Sequence, residues 1–115
     1  MKNIDDLTQK IITFRDARDW KQFHNPKDCA ISLSLEASEV LEHFQWKSEK
    51  EIEDYLKVHK DDLAEELADV FNYLLLMCHD LEIDIMEASE KKLIQNNLKY
   101  PVEKARGRHT KYSEL

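Results

Sequence analysis

The chain has 115 residues, enough for one domain with a small core, and 42% of them are hydrophobic. Its single glycine excludes a glycine-rich phosphate loop and a GxGxxG turn, and with only two prolines it favours long helices joined by few turns. Acidic residues outnumber basic ones by 24 to 17, which argues against binding to a nucleic-acid polymer.

Five helical segments are predicted in chain order. The first covers residues 4–17, and a loop over 20–25 follows it. Asn25, the last residue of this loop, suits an N-cap, and Pro26 suits the first helical position. A second helix is therefore expected over residues 26–46. A capping box over 48–51 opens a third, short helix that ends near Val58.

The last two helices are predicted over residues 61–81 and 84–98, and Pro101 stops the fifth. Residues 1–100 are therefore expected to form one helical domain, with 101–115 as a basic, irregular tail of the same domain. The predicted fold is all-α, a four-helix-type bundle built from about five helices.

The ends and the apolar segments of the sequence predict a cytoplasmic protein without a membrane partner. The N-terminus is polar within a few residues and shows no signal peptide. The longest apolar run, around residues 74–78, is far too short to span a bilayer.

Two predicted helices carry the same acidic pattern. On a helical wheel, Glu36 and Glu39 lie together at one border of the apolar arc of the second helix. Glu66 and Asp69 occupy the corresponding border of the fourth helix. Such acids can be ordinary solvated residues of a helix surface. Two pairs in register also suit a hard divalent cation, above all Mg²⁺ when phosphates share its coordination, with Mn²⁺ as a substitute.

The remaining apolar residues of these helices predict a core and a second packing surface. Leu41 and Leu67 are placed within the apolar arcs, which are expected to face the core. Ile31, Leu35 and Leu76 lie outside those arcs, and this indicates self-association.

The acidic pattern and its flanking segments resemble a known family. The ExxE and ExxD pairs resemble the signature of the MazG-like all-α nucleotide pyrophosphohydrolases. The segments RDWKQFHNPKD, EHFQWKS and KYPVEKARG…KYSEL are similar to its dCTP pyrophosphatase branch. The resemblance implies a helical core completed by a homodimer or homotetramer. It also implies Mg²⁺-dependent cleavage of a nucleoside triphosphate between the α and β phosphates.

The resemblance also assigns roles to residues by position. The catalytic metal ligands would be Glu36, Glu39, Glu66 and Asp69, the residues flanking the base would be Trp20 and Trp46, and the sugar or phosphate contacts would be Tyr73, Lys92, Asn96 and Tyr100. One position departs from the pattern: vertebrate dCTP pyrophosphatases carry a histidine on the first helix near the base, where this chain has Ile11.

The predicted function is hydrolysis of a pyrimidine deoxynucleoside triphosphate, such as dCTP or a modified form, to the monophosphate and pyrophosphate for nucleotide-pool sanitation. Phosphoribosyl-ATP pyrophosphatases and dimeric dUTPases share the acidic scheme, but the two tryptophans and the C-terminal segment disfavour both. The alternative from another class is a non-catalytic helical oligomer, acting as an adaptor or nucleotide-binding module.

Overall fold

The computed structural model describes residues 3–115, and within this range it contains α-helices and 3-10 turns but no strand. The helices are α1 (Ile4–Ala17), α2 (Pro26–Glu42), α3 (Glu49–Asp80), α4 (Ile85–Lys99) and α5 (Val102–Ala105), and the 3-10 turns are Lys21–Phe23 and Tyr112–Glu114. The all-α prediction is confirmed. Every helix in the described range is too short or too polar to cross a membrane.

Two compact units divide the chain after Glu82. The first contains α1, α2 and α3, and in it α3 packs against both other helices. The second contains α4, α5 and the last 3-10 turn. Residues 101–115, predicted as irregular, therefore contain two short helical segments.

Side-chain caps fix where the long helices begin. The capping residues, in chain order, are Asn3, Asn25, Ser48 and Asp84, and the last three stand at predicted positions. At α3 the cap is reciprocal: the Ser48 N–H donates to Glu51 Oε1, and the Glu51 N–H donates to Ser48 Oγ, both at 3.2 Å. Each cap satisfies backbone donors that the first helical turn leaves unpaired, and is worth about 1 kcal/mol.

Helix α2 ends at Glu42, four residues before the predicted end at Trp46. The N–H groups of His43 and Phe44 bond to carbonyls only three residues back, which tightens the chain into a turn. Trp46 then adopts a left-handed backbone conformation, with φ at 67°. This conformation cannot continue a helix of L-residues.

Helix α3 joins the predicted third and fourth helices into one element of 32 residues. The break was expected between Val58 and Asp61, and the structure has a kink there, at His59 (φ −110°, ψ 16°). The Asp62 carboxylate accepts a hydrogen bond from the His59 ring Nδ1 at 3.0 Å. It does not cap a new helix, and the helix continues through the kink.

The core of the first unit is centred on the C-terminal half of α3. Among the described residues the buried apolar side chains are Cys29, Leu75, Leu76 and Cys78, and burial raises the pKa of both free thiols. The placement of Leu76 on an outer packing surface was wrong, since it is 4% exposed. Leu41 and Leu67, expected in the core, are exposed. Helix α3 packs against α1 as well as α2, so the side chains that it buries are not those of one apolar arc on a helical wheel.

One charged side chain is buried in this unit. Arg15 on α1 is 2% exposed, and its Nη1 donates to Asp80 Oδ2 at 2.7 Å, joining α1 to the last residue of α3. Its Nε is buried without a hydrogen-bond acceptor among the described residues, and Asp16 Oδ1 lies 3.4 Å away. A buried guanidinium without a carboxylate partner is costly, so Asp80 is essential to this packing.

We expect Asp80→Ala to destabilise the protein by about 3 kcal/mol, because it removes the hydrogen-bonded carboxylate of the buried Arg15 and leaves only the exposed Asp16 near this charge. Urea unfolding followed by circular dichroism measures this loss. The control is Asp16→Ala, which removes the exposed neighbour and should cost less than about 0.5 kcal/mol. Equal losses of unfolding free energy in Asp80→Ala and Asp16→Ala would contradict the conclusion that Asp80 is the essential partner of Arg15.

Candidate active site

The structure brings together the four carboxylates that the sequence singled out. Glu36 and Glu39 lie on α2, and Glu66 and Asp69 lie on α3. Because each pair is spaced three residues apart, both of its members share one helix face. Since α2 packs on α3, one oxygen from each of the four side chains lies within 4.8 Å of the others. We call these four residues the acidic cluster.

Crowding changes the protonation of the acidic cluster. A hydrogen bond with Glu39, then burial and the neighbouring negative charges, raise the pKa of Glu66 to about 7. Burial, the hydrogen bond with Glu39 and the charges of Glu39 and Asp69 raise the pKa of Glu36 above its usual range. Without a cation, the cluster therefore retains protons that isolated carboxyl groups would lose.

The chemistry of the acidic cluster fits a hard divalent cation. Oε2 of Glu36 and Oε2 of Glu66 are buried and have no hydrogen-bond partner within residues 3–115. No lysine or arginine of the described chain forms an ion pair with any of the four carboxylates. Oxygen ligands with negative charge and no protein counter-ion are what Mg²⁺ and Mn²⁺ bind.

A cavity of about 190 Å³ adjoins the acidic cluster and shares Asp69 with it. Its apolar wall includes Ile11, Phe14 and Trp20, from α1 and the loop after it. Asn72 and Tyr73, one turn beyond Asp69 on α3, add polar groups. Flat aromatic and apolar surfaces beside a few hydrogen-bonding groups suit a planar polar ligand.

The two tryptophans assigned to base binding stand in different surroundings. Trp20 lines the cavity, and its ring lies edge-on to Phe14 with centroids 5.8 Å apart. The Arg18 guanidinium lies 3.7 Å from the centroid of the Phe14 ring, which fixes this aromatic pair further. Trp46 lies in the turn between α2 and α3 and is 91% exposed.

The four residues assigned to sugar or phosphate contacts fall in both units. Tyr73 lines the cavity in the first unit, and the His24 ring lies edge-on to it with centroids 6.4 Å apart. Lys92 and Asn96 lie on α4, followed by Tyr100, in the second unit. Asn96 and Tyr100 line one surface depression there, and the Lys92 side chain is exposed. Their contact with a nucleotide stays a prediction.

Sequence reasoning did not assign Asn72 and His24 to the site, although both line the cavity. Asn72 could have been found, because it lies three residues after Asp69 and continues the same helix face. His24 follows a short 3-10 turn, and its ring reaches the cavity by packing against Tyr73. This contact between distant parts of the chain is not encoded in a local sequence pattern.

Comparison with known proteins identifies the family. Residues 31–115, which contain the whole acidic cluster, match the MazG-like family. This chain belongs to the MazG-like family. The MazG-like match includes α4, α5 and the C-terminal residues, so it extends over both compact units.

Relatives of this MazG-like chain are named as pyrophosphatases. The chain is 34% identical to dCTP pyrophosphatase 1 of Mus musculus and 33% identical to that of Homo sapiens, over 97% of its own length and 67% of theirs. It is 40% identical to a pyrophosphatase from Archaeoglobus fulgidus whose crystal structure superposes with a TM-score of 0.83, covering 88% of this chain and 94% of that one. These relatives support a nucleotide pyrophosphatase activity for the chain.

We expect the metal-free protein to lose stability as the pH rises from about 4.5 to about 7. In the folded chain the pKa of Glu66 is raised from 4.5 to about 7. The protonated Glu66 therefore contributes its full share of stability below pH 4.5, and this share is lost as the pH rises through about 7. Thermal unfolding in EDTA at several pH values measures this dependence. Glu66→Gln should flatten it, whereas Glu65→Gln, at an exposed neighbour, should not.

A metal-free protein whose melting temperature rises steadily between those pH values would contradict the proton sharing inferred for the cluster. Added Mg²⁺ should restore stability most at the higher pH, because its ligands must lose their protons to bind.

Proposed function

We propose that this MazG-like protein hydrolyses nucleoside triphosphates to the monophosphate and pyrophosphate, with Mg²⁺ held by the acidic cluster and Mn²⁺ able to replace it. The observation that carries the proposal is the convergence of four carboxylate oxygens within 4.8 Å beside a cavity with aromatic walls. The dCTP pyrophosphatase relatives support the same reaction class.

Each part of the site has a proposed role in this reaction. Glu36 and Glu66, which are half-buried, would hold the cation firmly, and Glu39 and Asp69, which are exposed, would complete its ligands. The bound cation supplies positive charge that offsets the charge of the phosphate oxygens.

The proposed general base is Glu39. Its carboxylate is on the exposed side of the cluster, where water reaches it, and it would accept the proton of the water that attacks the α-phosphorus. Pyrophosphate then leaves with the electron pair of the broken anhydride bond. Orientation of the substrate would provide much of the rate, because the reaction needs no covalent enzyme intermediate.

The nucleotide base is proposed to enter the cavity. Trp20, which lines it, would stack on the base, and Tyr73 beside it would contact the sugar or phosphates through hydrogen bonds. The family resemblance adds Trp46 to the proposed base contacts, and Asn96 and Tyr100 to the proposed sugar or phosphate contacts. Lys92 would provide a positive charge for phosphate oxygens that the metal does not reach.

The proposed substrate class is a pyrimidine deoxynucleoside triphosphate, such as dCTP or a modified form, and the role is removal of unwanted nucleotides from the pool. Ile11, where the family resemblance implies a histidine in the vertebrate proteins, lines the cavity beside Trp20. An apolar side chain donates no hydrogen bond to a base, so we expect weak discrimination between cytosine and other pyrimidines.

We also propose that the protein acts as a homodimer or homotetramer. Ile31 and Leu35 on α2 are exposed apolar residues, as expected for a surface that packs against another copy. The competing function, a non-catalytic adaptor or nucleotide-binding module with the same fold, predicts no turnover and is separated from ours by the assay below.

We expect pyrophosphate release from at least one pyrimidine deoxynucleoside triphosphate with Mg²⁺ and none with EDTA. Glu36→Gln and Asp69→Asn should each lower kcat at least about 100-fold, because each removes a negatively charged ligand. Glu65→Gln is the matched control: its side chain is an exposed acid next to Glu66 and lies outside the cluster.

Circular dichroism should show the same helicity in all three variants, which separates loss of chemistry from loss of fold. If a panel of common and modified nucleotides released no pyrophosphate, the adaptor or binding-module function would replace ours. Turnover near the wild-type rate in Asp69→Asn would overturn the ligand assignment.

We expect Ile11→His to raise the ratio of kcat/KM for dCTP over dTTP by roughly three- to tenfold, the effect of about one hydrogen bond. Competition assays with the two nucleotides measure the ratio directly. Thr13→His places the same ring on an exposed position of α1 and should leave the ratio unchanged. An unchanged ratio in Ile11→His would show that this cavity wall does not face the base.

A further inference from the structure

Trp46 is held in an unusual state by the turn between α2 and α3. Its backbone is left-handed, with φ at 67°, and its side chain is 91% exposed. A bulky side chain rarely adopts this backbone region, and such a residue persists only where its surroundings determine its conformation. The residues on either side of Trp46 in this turn, His43 and Lys47, make side-chain contacts with α3.

The residues on both sides of Trp46 contact one side chain, Tyr55 on α3. Before the tryptophan, the Nδ1 atom of His43 lies 2.5 Å from the Tyr55 hydroxyl oxygen. After the tryptophan, the Nζ atom of Lys47 lies 4.5 Å from the centroid of the Tyr55 ring. A hydrogen bond and a cation–π contact thus fix both ends of the turn to the same ring.

Tyr55 also contacts a residue of its own helix. Its ring stacks on the ring of His59, with centroids 4.4 Å apart and an angle of 23° between the planes. His59 is the residue at which α3 is kinked, and its Nδ1 is hydrogen-bonded to Asp62. The tyrosine therefore stands between the kink of α3 and the turn that carries Trp46.

We propose that Tyr55 is a positioning residue that holds Trp46 ready to stack on the nucleotide base, and so sets nucleotide affinity without touching the substrate. This inference rests on the proposed function for the contact between Trp46 and the base. Holding the turn that carries the Trp46 ring before the ligand arrives removes part of the ordering cost of binding. The chemical step, which takes place at the acidic cluster, does not depend on it.

The central experiment compares Tyr55→Phe with the wild-type protein. This variant removes only the hydroxyl that meets His43 and keeps the ring between Lys47 and His59. We expect KM to rise about fivefold and kcat to change less than twofold. Tyr55→Leu, which removes the ring contacts as well, should raise KM further.

A double-mutant cycle tests whether Tyr55 acts through Trp46. In a Trp46→Ala background, Tyr55→Phe should have no further effect on KM, because the side chain that it positions is gone. Asn3→Ala is the control: it removes the cap of α1 and lowers stability without contacting the turn, so its KM should match the wild type. An effect of Tyr55→Phe that persists in the Trp46→Ala background would overturn the proposal.

A fluorescence measurement needs no substrate. The chain has two tryptophans, so Trp20→Phe leaves Trp46 as the only one. In this background, Tyr55→Phe should lower the fluorescence anisotropy of Trp46 because the turn becomes more mobile. Unchanged anisotropy would overturn the positioning role.

The two proposals fail in different ways. If the wild-type protein releases no pyrophosphate from any nucleotide, the proposed function fails, and the anisotropy measurement still decides the role of Tyr55. If the wild-type protein is active and KM is the same in Tyr55→Phe, the positioning proposal fails and the proposed function stands.

Discussion

Repulsion among four carboxylates is the constraint on which the first unit depends. Its two long helices bring Glu36, Glu39, Glu66 and Asp69 within 4.8 Å of one another, with no lysine or arginine of the described chain paired to them. Helix packing provides the energy that keeps them close, and shared protons reduce the repulsion when no cation is bound. The packed helices therefore form a stable scaffold in which the four carboxylates repel one another. A bound divalent ion would remove this repulsion.

Features set by short sequence patterns could be predicted, and features set by packing could not. The caps at Asn25, Ser48 and Asp84, and the spacing within each acidic pair, follow from residues at most three apart. The burial of Leu76 could not be predicted in this way, since it depends on α3 contacting helices on two sides. The early end of α2 is followed by a turn whose His43 and Lys47 contact Tyr55 on α3, twelve and eight residues away along the chain, and such contacts are not encoded in a short sequence pattern.

The proposed function assigns chemistry and base selectivity to different parts of the site. The acidic cluster uses residues from α2 and α3, whereas the apolar wall of the cavity, apart from Leu76 on α3, comes from α1 and the loop after it. Under the proposed function, substitutions at Ile11 or Phe14 are therefore expected to alter which base fits without moving a carboxylate. The sequence alone could name Ile11 as a departure from the vertebrate relatives, but its place in the cavity wall required the folded chain.

The separation of the two acidic pairs along the chain has a consequence for folding. Glu36 and Glu39 stand 27 to 33 residues before Glu66 and Asp69, on two consecutive helices that form a hairpin. The acids meet only when α2 packs on α3, so their repulsion opposes the same step that builds the scaffold. Conditions that reduce this repulsion, such as acidic pH or a bound cation, therefore favour the packed hairpin.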